Sequence, residues 1–265
     1  LYDAALRCLD KAIEIDPGFI SAWISKGNSL DCLGRHEEAE NCFDDALKLD
    51  SYNVIALINK GNSLQNSGYY EKAIYYYENA LKSDPQNVCA IANKGNTLNN
   101  LGQFERGIIC LDKALEIDPN YAAAWIYKGQ SLDGLCYFKE AINCLDKALK
   151  IDQNNASVWE NKGRYLDELC LFEEAIYCFD RALEIAPRYY KAWHHKGNSL
   201  SSLHRDKEAI SCYDMAIKLD PNNSHYWSDK ALSQENLGEW REAIFSYQQF
   251  IAKASKEDTN LIETV

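Results

Sequence analysis

Four histidines come nearest to a catalytic or metal-binding pattern in this sequence. His194 and His195 are adjacent, and His204 and His225 lie in the segments that follow them. An imidazole ring can act as an acid–base group or as a metal ligand. A metal site on a helix needs a further ligand one turn away, but Asn and Ser stand four residues after the adjacent pair. We therefore predict partly exposed surface histidines and no metal site.

The dipeptide Lys-Gly recurs at a constant spacing and is a second candidate for chemistry. A lysine beside a glycine-rich loop can bind phosphate. No such loop occurs here, because each glycine lies within a segment of helical periodicity. We interpret the lysines as structural residues whose methylene stems cover apolar surface. They are Lys26, Lys60, Lys94, Lys128, Lys162 and Lys196, with Lys230 preceding an Ala.

An Asp ten residues upstream of most of these lysines offers each ammonium group a partner. We predict that Asp–Lys pairs connect successive units and favour one stacking register. An exposed pair contributes only about 0–1 kcal/mol, so partial burial would be needed for a larger effect. The Asp residues are Asp16, Asp50, Asp84, Asp118, Asp152 and Asp220.

The ten cysteines form neither a disulfide framework nor a zinc pattern. There is no Cys-x-x-Cys, and no Cys/His cluster has the spacing of zinc ligands. Six of them recur at the period of the Lys-Gly dipeptide or at a multiple of it. We interpret these six as small apolar side chains in one packing environment, which predicts a reducing, cytoplasmic location. They are Cys8, Cys42, Cys110, Cys144, Cys178 and Cys212.

Composition and motifs argue against several classes of protein. The net charge is −12, which disfavours nucleic-acid binding and favours a neutral or basic partner. No apolar run approaches the ~20 residues of a membrane span. The motifs GxGxxG, GxxxxGK[ST], HExxH and GxSxG are absent, so we predict no enzyme and no cofactor.

All of these residues belong to one sequence unit that recurs without insertion along the chain. A large residue stands four positions before each glycine, a small residue twelve positions after it, and another large residue four positions further on. Each unit contains two short amphipathic stretches with helical periodicity. The first of these columns is Trp23, Leu57, Ile91, Trp125, Trp159, Trp193 and Trp227.

These columns resemble the tetratricopeptide repeat, in an array of the prokaryotic type. The resemblance implies an all-α fold, a right-handed α-solenoid of antiparallel helix pairs that forms a single domain. Residues 1–19 match the second helix of a preceding repeat, and residues 258–265 form a C-terminal tail. The full repeats are 20–53, 54–87, 88–121, 122–155, 156–189, 190–223 and 224–257.

Glycines between the two helices and residues at both ends complete the predicted packing. Gly34, Gly68, Gly102 and Gly238 stand where a left-handed backbone ends the first helix. Phe250 replaces the small residue that a following repeat would need, so we predict a short capping helix after it. We expect the N-terminal helix to expose apolar residues and predict either upstream repeats or end-to-end contacts between copies. These residues are Ala5, Leu6, Leu9, Ala12 and Ile13.

The resemblance also implies a binding surface, because the first helices of tetratricopeptide repeats line a concave face. Asparagine recurs in two columns of that face, and an Asn amide can both donate to and accept from a peptide unit. The row is similar to the asparagine ladder of O-linked N-acetylglucosamine transferases and suits an extended peptide. The predicted contacts are Asn28, Asn59, Asn62, Asn66, Asn93, Asn96, Asn100, Tyr127, Gln130, Asn161, Arg164, His194 and Asn198.

A carboxylate clamp like that of chaperone adaptors is disfavoured. The lysine that should stand four residues before the asparagine is instead an Ile or Ala, as at Ile24 and Ala92. Acidic residues after position 130 favour a mixed or basic peptide there, with Arg164 and Lys191 as local anchors for carboxylate. We predict a protein-interaction scaffold. Two alternatives are the substrate-recruiting arm of a glycosyltransferase-like enzyme and a module that self-assembles through its N-terminal edge.

Overall fold

A computed structural model describes the backbone of residues 2–263 and the side chains of residues 4–254. The chain forms two compact units, Leu1–Tyr137 and Phe138–Val265. Every regular element within the described residues is a helix. Consecutive helices pack on each other within each unit, and the first helix of a pair also touches the first helix of the next pair. Each unit is therefore an all-α solenoid of stacked helix pairs, as predicted.

Unit 1 contains a single leading helix, three complete pairs and the first helix of a fourth. Loops of three residues connect the two helices of a pair, and loops of four residues connect successive pairs. The short loops make neighbouring helices antiparallel. The helices are α1 (Tyr2–Ile15), α2 (Ile20–Cys32), α3 (His36–Leu49), α4 (Val54–Asn66), α5 (Tyr70–Ser83), α6 (Val88–Asn100), α7 (Phe104–Ile117) and α8 (Ala122–Gly134).

Unit 2 begins with the second helix of a repeat and continues with three pairs. Its last helix spans 24 residues, whereas the other second helices span 14. The predicted short capping helix after Phe250 is instead part of this helix, because no Gly or Pro interrupts it; Thr264 and Val265 lie outside the described residues. The helices are α9 (Phe138–Ile151), α10 (Ala156–Glu168), α11 (Phe172–Ile185), α12 (Tyr190–Ser202), α13 (Asp206–Leu219), α14 (His225–Asn236) and α15 (Trp240–Glu263).

Glycines of the Lys-Gly dipeptides pack against a large side chain of the second helix in their own pair. A Cβ atom added at Gly61 would lie 2.6 Å from a ring atom of Tyr77, and one added at Gly197 would lie 2.5 Å from the ring of Tyr213. Both rings are almost fully buried. The small and large columns of the sequence therefore meet in the core of these pairs, which confirms the predicted close approach of the helices.

The turn that ends each first helix has a left-handed residue. The four predicted glycines have φ values between +71° and +81°. Cys136, Cys170 and His204 occupy the same position in other repeats, with φ between +56° and +61°. A residue with a side chain loses roughly 1–2 kcal/mol in this conformation. At these three turns the packing of the helix pair therefore imposes a backbone conformation that the residue itself disfavours.

Tryptophans fix the link between successive pairs. The indole N–H of Trp23 donates to the carbonyl of Pro17 at 3.0 Å, and that of Trp193 donates to the carbonyl of Pro187 at the same distance. Both tryptophans are partly buried and pack against a cluster of buried core residues. At Trp23, Trp125, Trp159 and Trp193 the indole N–H therefore anchors the start of a first helix to the loop before it.

The six repeating cysteines occupy one position of the repeat, but not all of them are buried. Cys42, Cys144, Cys178 and Cys212 are buried, Cys110 is half-buried, and Cys8 on the leading helix is exposed. Burial raises the pKa of the Cys178 and Cys212 thiols to about 11. The interpretation as small apolar side chains is confirmed for the four buried thiols.

The N-terminal helix exposes less apolar surface than predicted. Leu6 is only 8% exposed, because it packs in the cluster formed with Ile24, Leu30 and Phe43 of the following pair. Ala5 is exposed, whereas Leu9, Ala12 and Ile13 are half-buried. The prediction of an open apolar edge was therefore wrong for Leu6, since one neighbouring pair suffices to cover it.

We expect Gly61→Ala to destabilise the fold by about 1–3 kcal/mol, because the new methyl group overlaps the buried ring of Tyr77. Urea denaturation followed by circular dichroism measures this loss. Asn66→Ala, at an exposed position of the same helix, is the control and should cause no such loss. Equal stability of Gly61→Ala and the native chain would show that the pair can open at this contact.

We expect alkylation to distinguish the cysteines by burial and thiol pKa. At pH 8 a thiol with a pKa of about 11 is roughly one part in a thousand thiolate, so Cys178 and Cys212 should resist iodoacetamide. The exposed Cys136 and Cys170 should react first. Peptide mass spectrometry resolves the four sites, and guanidinium-unfolded protein gives the reference rate. Folded-state reaction of Cys178 as fast as Cys170 would contradict the packing described above.

Candidate functional site

The lysines of the Lys-Gly dipeptides bond to acidic residues of the preceding pair, but not to the predicted ones. Lys94 Nζ lies 2.7 Å from Glu78 Oε1, and Lys162 Nζ lies 2.6 Å from Asp146 Oδ1. Each acid stands on the second helix of the preceding repeat, at a constant distance along the chain from its lysine. The pairs are Asp10–Lys26, Asp44–Lys60, Glu78–Lys94, Asp112–Lys128, Asp146–Lys162, Asp180–Lys196 and Asp214–Lys230.

The Asp that stands ten residues before a repeat lysine bonds groups of its own loop instead. Asp50 accepts the backbone N–H of Tyr52 and the side-chain amide of Asn53, and Asp84 bonds its loop in the same way. Asn53 in turn accepts the N–H of Ala56 and so caps helix α4. The predicted Asp–Lys partners were therefore wrong, because these carboxylates close the turn that precedes the next first helix. Pairing between successive repeats itself is confirmed.

A buried hydroxyl column makes a second set of contacts between pairs. Ser63 Oγ donates to Asp31 Oδ1 at 2.8 Å, and Ser131 Oγ donates to Asn99 Oδ1 at 2.7 Å. Both hydroxyl residues are 0% exposed. The bond joins adjacent first helices at equivalent places in successive repeats, so it fixes the register of the polar face. Thr97, Ser199 and Ser233 bond in the same way.

Asn62 and Asn93 are two predicted contact residues that a short hydrogen bond joins directly. Asn93 Nδ2 donates to Asn62 Oδ1 at 2.8 Å, and the buried Tyr77 hydroxyl donates to the same oxygen at 2.7 Å. Neither bond uses the Nδ2 group of Asn62 or the Oδ1 atom of Asn93. The pair therefore presents one amide donor and one acceptor side by side on neighbouring first helices.

The other asparagines do not form a continuous ladder. The structure gives no hydrogen bond between their side chains within the described residues. Asn198 Oδ1 accepts the Tyr213 hydroxyl at 2.9 Å, as Asn62 does from Tyr77, which shows a packing role for this column. Asn28, Asn66 and Asn100 are exposed, and Asn59 and Asn96 are half-buried.

Tyr127 and Gln130 lie on helix α8, and both are half-buried. Tyr127 packs against the core of unit 1, and burial raises the pKa of its hydroxyl. Its backbone carbonyl accepts bonds from Asn99 Nδ2 and Ser131 Oγ, both at 3.0 Å. Tyr127 is therefore fixed in place beside the hydroxyl column.

Unit 2 has a cavity of about 670 Å³ between helices α10, α12 and the start of α14. The predicted contact residues Asn161, Arg164 and His194 line it, together with Lys191, which the sequence predicted as an anchor for carboxylate. Sequence reasoning missed the aromatic part of the lining, Tyr189, Tyr190 and Tyr226. These tyrosines stand in the loop before a first helix or at its start, so only the stacking of successive repeats brings them to the cavity.

Both histidines of the adjacent pair bond to carboxylates. His195 Nδ1 lies 2.7 Å from Glu160 Oε1, and His194 Nε2 lies 2.6 Å from Asp229 Oδ2. Glu160 is only 4% exposed. The histidines are partly exposed, as predicted, but each is held by a carboxylate on an adjacent first helix. No group of three His, Cys, Asp or Glu residues in the described part of the chain could hold a metal ion.

The stacked pairs and the polar contacts between their first helices define a solenoid repeat protein, a class that acts as a scaffold for other proteins. Family models of the tetratricopeptide repeat match residues 24–88, 66–125, 122–155, 156–189, 190–223 and 229–256. The chain belongs to the tetratricopeptide repeat family. Its fold is that of a protein-interaction scaffold. None of the helices in the described residues has the length and apolar character of a membrane span.

Solved structures of repeat proteins share the fold. MamA is 22% identical with a TM-score of 0.60, over 62% of this chain and 96% of MamA. The Cut9–Hcn1 hetero-tetramer of the APC/C gives a TM-score of 0.73 at 16% identity, over 96% of this chain and 50% of that chain. YrrB, a TPR protein with an unusual peptide-binding site, is 26% identical with a TM-score of 0.51, over 71% of this chain and 97% of YrrB. The sequence has no match among curated proteins.

A double-mutant cycle should assign the partner of the repeat lysine. We expect Glu78→Gln and Lys94→Gln to show a coupling of about 0.2–1 kcal/mol in urea denaturation, because Glu78 is half-exposed and the attraction is screened. The matched cycle of Asp84→Asn with Lys94→Gln should show none. Coupling to Asp84 rather than Glu78 would restore the partner predicted from the sequence.

Proposed function

We propose that the chain holds an extended segment of a partner protein along the face formed by its first helices. The observation that carries this proposal is the bonded pair Asn62 and Asn93. A peptide unit has one carbonyl acceptor and one N–H donor, and the pair offers the complementary donor and acceptor. Such contacts bind main chain whatever the side chains are, so the partner segment must be extended.

The orientation of the two amides gives this surface its complementarity. Asn62 Oδ1 already accepts from Tyr77 and Asn93, so the amide cannot rotate without breaking both bonds. Its Nδ2 group is therefore held in one orientation and takes part in neither bond. A preorganised donor loses little conformational freedom on binding.

The similarity to YrrB adds support, because that protein has a peptide-binding site and is 26% identical. The side chains near the site differ between the two units, with amides in unit 1 and charged and aromatic groups in the cavity of unit 2. A partner is thus recognised by main-chain contacts at one place and by side chains at another. We assign no catalytic role to the chain and place it in the cytoplasm.

Asn62→Asp tests this proposal with little disturbance of the fold. The new carboxylate still accepts from Tyr77 and Asn93, but it replaces the free amide donor with an oxygen that repels a peptide carbonyl. Dodecapeptides selected from a random phage library on the native protein serve as probes. We expect affinity for them to fall about tenfold, as loss of one hydrogen bond near a new charge implies.

Asn79→Asp is the matched control, since Asn79 lies on the second helix of the same repeat and bonds Lys82 there. It adds the same charge and should leave peptide affinity unchanged. Thermal unfolding of both variants verifies the fold. Unaltered affinity of Asn62→Asp, or an equal loss in Asn79→Asp, would exclude the asparagine pair as the contact.

A further inference from the structure

Of the two carboxylates that line the cavity of unit 2, Glu160 is already bonded to neighbouring side chains. Glu160 lies 2.7 Å from His195 Nδ1 and accepts the Tyr189 hydroxyl at 3.3 Å. Asp220 is the second carboxylate of the lining; burial, and after it the charge of Asp220, raise the pKa of the Tyr226 hydroxyl to about 12. Glu160 is therefore engaged in holding a wall of the cavity. Its presence does not imply a basic ligand, although the sequence had favoured a mixed or basic peptide there.

The cations of the same cavity are not paired with a carboxylate in the described part of the chain. Arg164 and Lys191 line it, and within the described residues neither lies within ion-pair distance of a carboxylate. The hydrogen bond from Arg164 Nη1 to Asn161 Oδ1 is long, at 3.3 Å. By contrast, the guanidinium of Arg205 bonds both oxygens of Glu208 at 2.7 and 2.8 Å.

Position and burial make this difference informative. Arg205 is on the surface, where water compensates its charge, whereas Arg164 is half-buried. Lys191 is exposed, so burial sets only Arg164 apart. A guanidinium that lines a cavity and is not paired with a carboxylate keeps N–H donors available for an oxyanion. The volume of about 670 Å³ exceeds what a carboxylate alone fills, and its aromatic walls can pack against the stem of a side chain.

We propose that this cavity binds an anionic side chain of the partner segment, a carboxylate or a phosphate ester, through Arg164 and Lys191. The inference rests on the proposed peptide-binding function. Asn161 positions the guanidinium, and Tyr190 and His225 add polar groups to the lining. The site differs from a carboxylate clamp, because the column that would hold the clamp lysine carries Glu160 and His194 here.

Four pools of fluorescent dodecapeptides test the proposal. Their variable positions contain only neutral residues, and the central residue is Glu, phosphoserine, Ser or Lys. We expect the native protein to bind the Glu or phosphoserine pool about tenfold more tightly than the Ser pool, as a hydrogen-bonded ion pair implies. The better of the two anionic pools identifies the source of the charge. The Lys pool should bind least.

Arg164→Gln and Lys191→Gln should each reduce the preference for anionic pools towards the affinity of the Ser pool. Lys207→Gln removes the same charge from an exposed position of unit 2 outside the cavity and should keep the preference. Arg164→Lys retains the charge but loses the planar fork, and should keep part of it. Thermal unfolding verifies that all four variants are folded.

Three results would overturn the proposal. Equal affinity of the native protein for the Ser and anionic pools would do so, and so would an unchanged preference in Arg164→Gln and Lys191→Gln. In both cases binding of the Ser pool that still responds to Asn62→Asp would leave the peptide-binding function intact. If no pool binds at all, the proposed function fails and the anion site fails with it.

Discussion

The contact between a glycine backbone and a large side chain is the constraint on which the rest of each unit depends. At Gly61 the first helix lies so close to Tyr77 that a single methyl group would overlap the ring. The neighbours of the glycine then reach the preceding pair, where Lys60 bonds Asp44 and Ser63 bonds Asp31. Overlap costs about 1–3 kcal/mol, whereas a half-exposed ion pair contributes about 0–1 kcal/mol. Packing within the pair therefore sets the distance, and polar contacts select the register.

This arrangement divides the polar side chains of the first helices into two groups. One group makes hydrogen bonds that hold the fold together. The buried Ser63 bonds the preceding pair, and the oxygen of Asn198 accepts from Tyr213 of its own pair. The other group keeps hydrogen-bonding capacity because the stacking bonds engage only one end of the side chain. Asn62 belongs to both, since its oxygen serves the fold and its amide nitrogen does not take part. An amide fixed in this way is a better ligand group than an exposed one such as Asn28, which must be ordered on binding.

The sequence predicted the helix pairs and their small and large columns, because these depend on contacts at a constant spacing within one repeat. It did not identify the acid partner of Lys94, since two acids lie upstream and only the stacked helices show that Glu78 is in reach. The sequence also did not predict the left-handed backbone conformation of Cys170, because that conformation favours glycine. Prediction failed most at the cavity of unit 2. Its walls come from residues in successive repeats, such as Tyr189 and Glu160, whose contact at 3.3 Å no local pattern encodes.

Comparison between repeats distinguishes the sequence columns that must pack from the columns that vary. The glycine column stays small in every repeat, with Ala231 in the last. At Gly27, Gly61, Gly95, Gly163 and Gly197 an added Cβ atom would meet a side chain of the facing helix. The next position is Asn in four repeats but Arg164 in a fifth, and the position four residues before it is Ile or Ala in four repeats but Glu160 and His194 in the next two. A position that must pack cannot vary this much without loss of stability. These substitutions coincide at one cavity, where Glu160 replaces an apolar residue and holds the wall through its bonds to His195 and Tyr189. This departure from the repeat pattern is confined to the part of the chain where the proposed anion site lies.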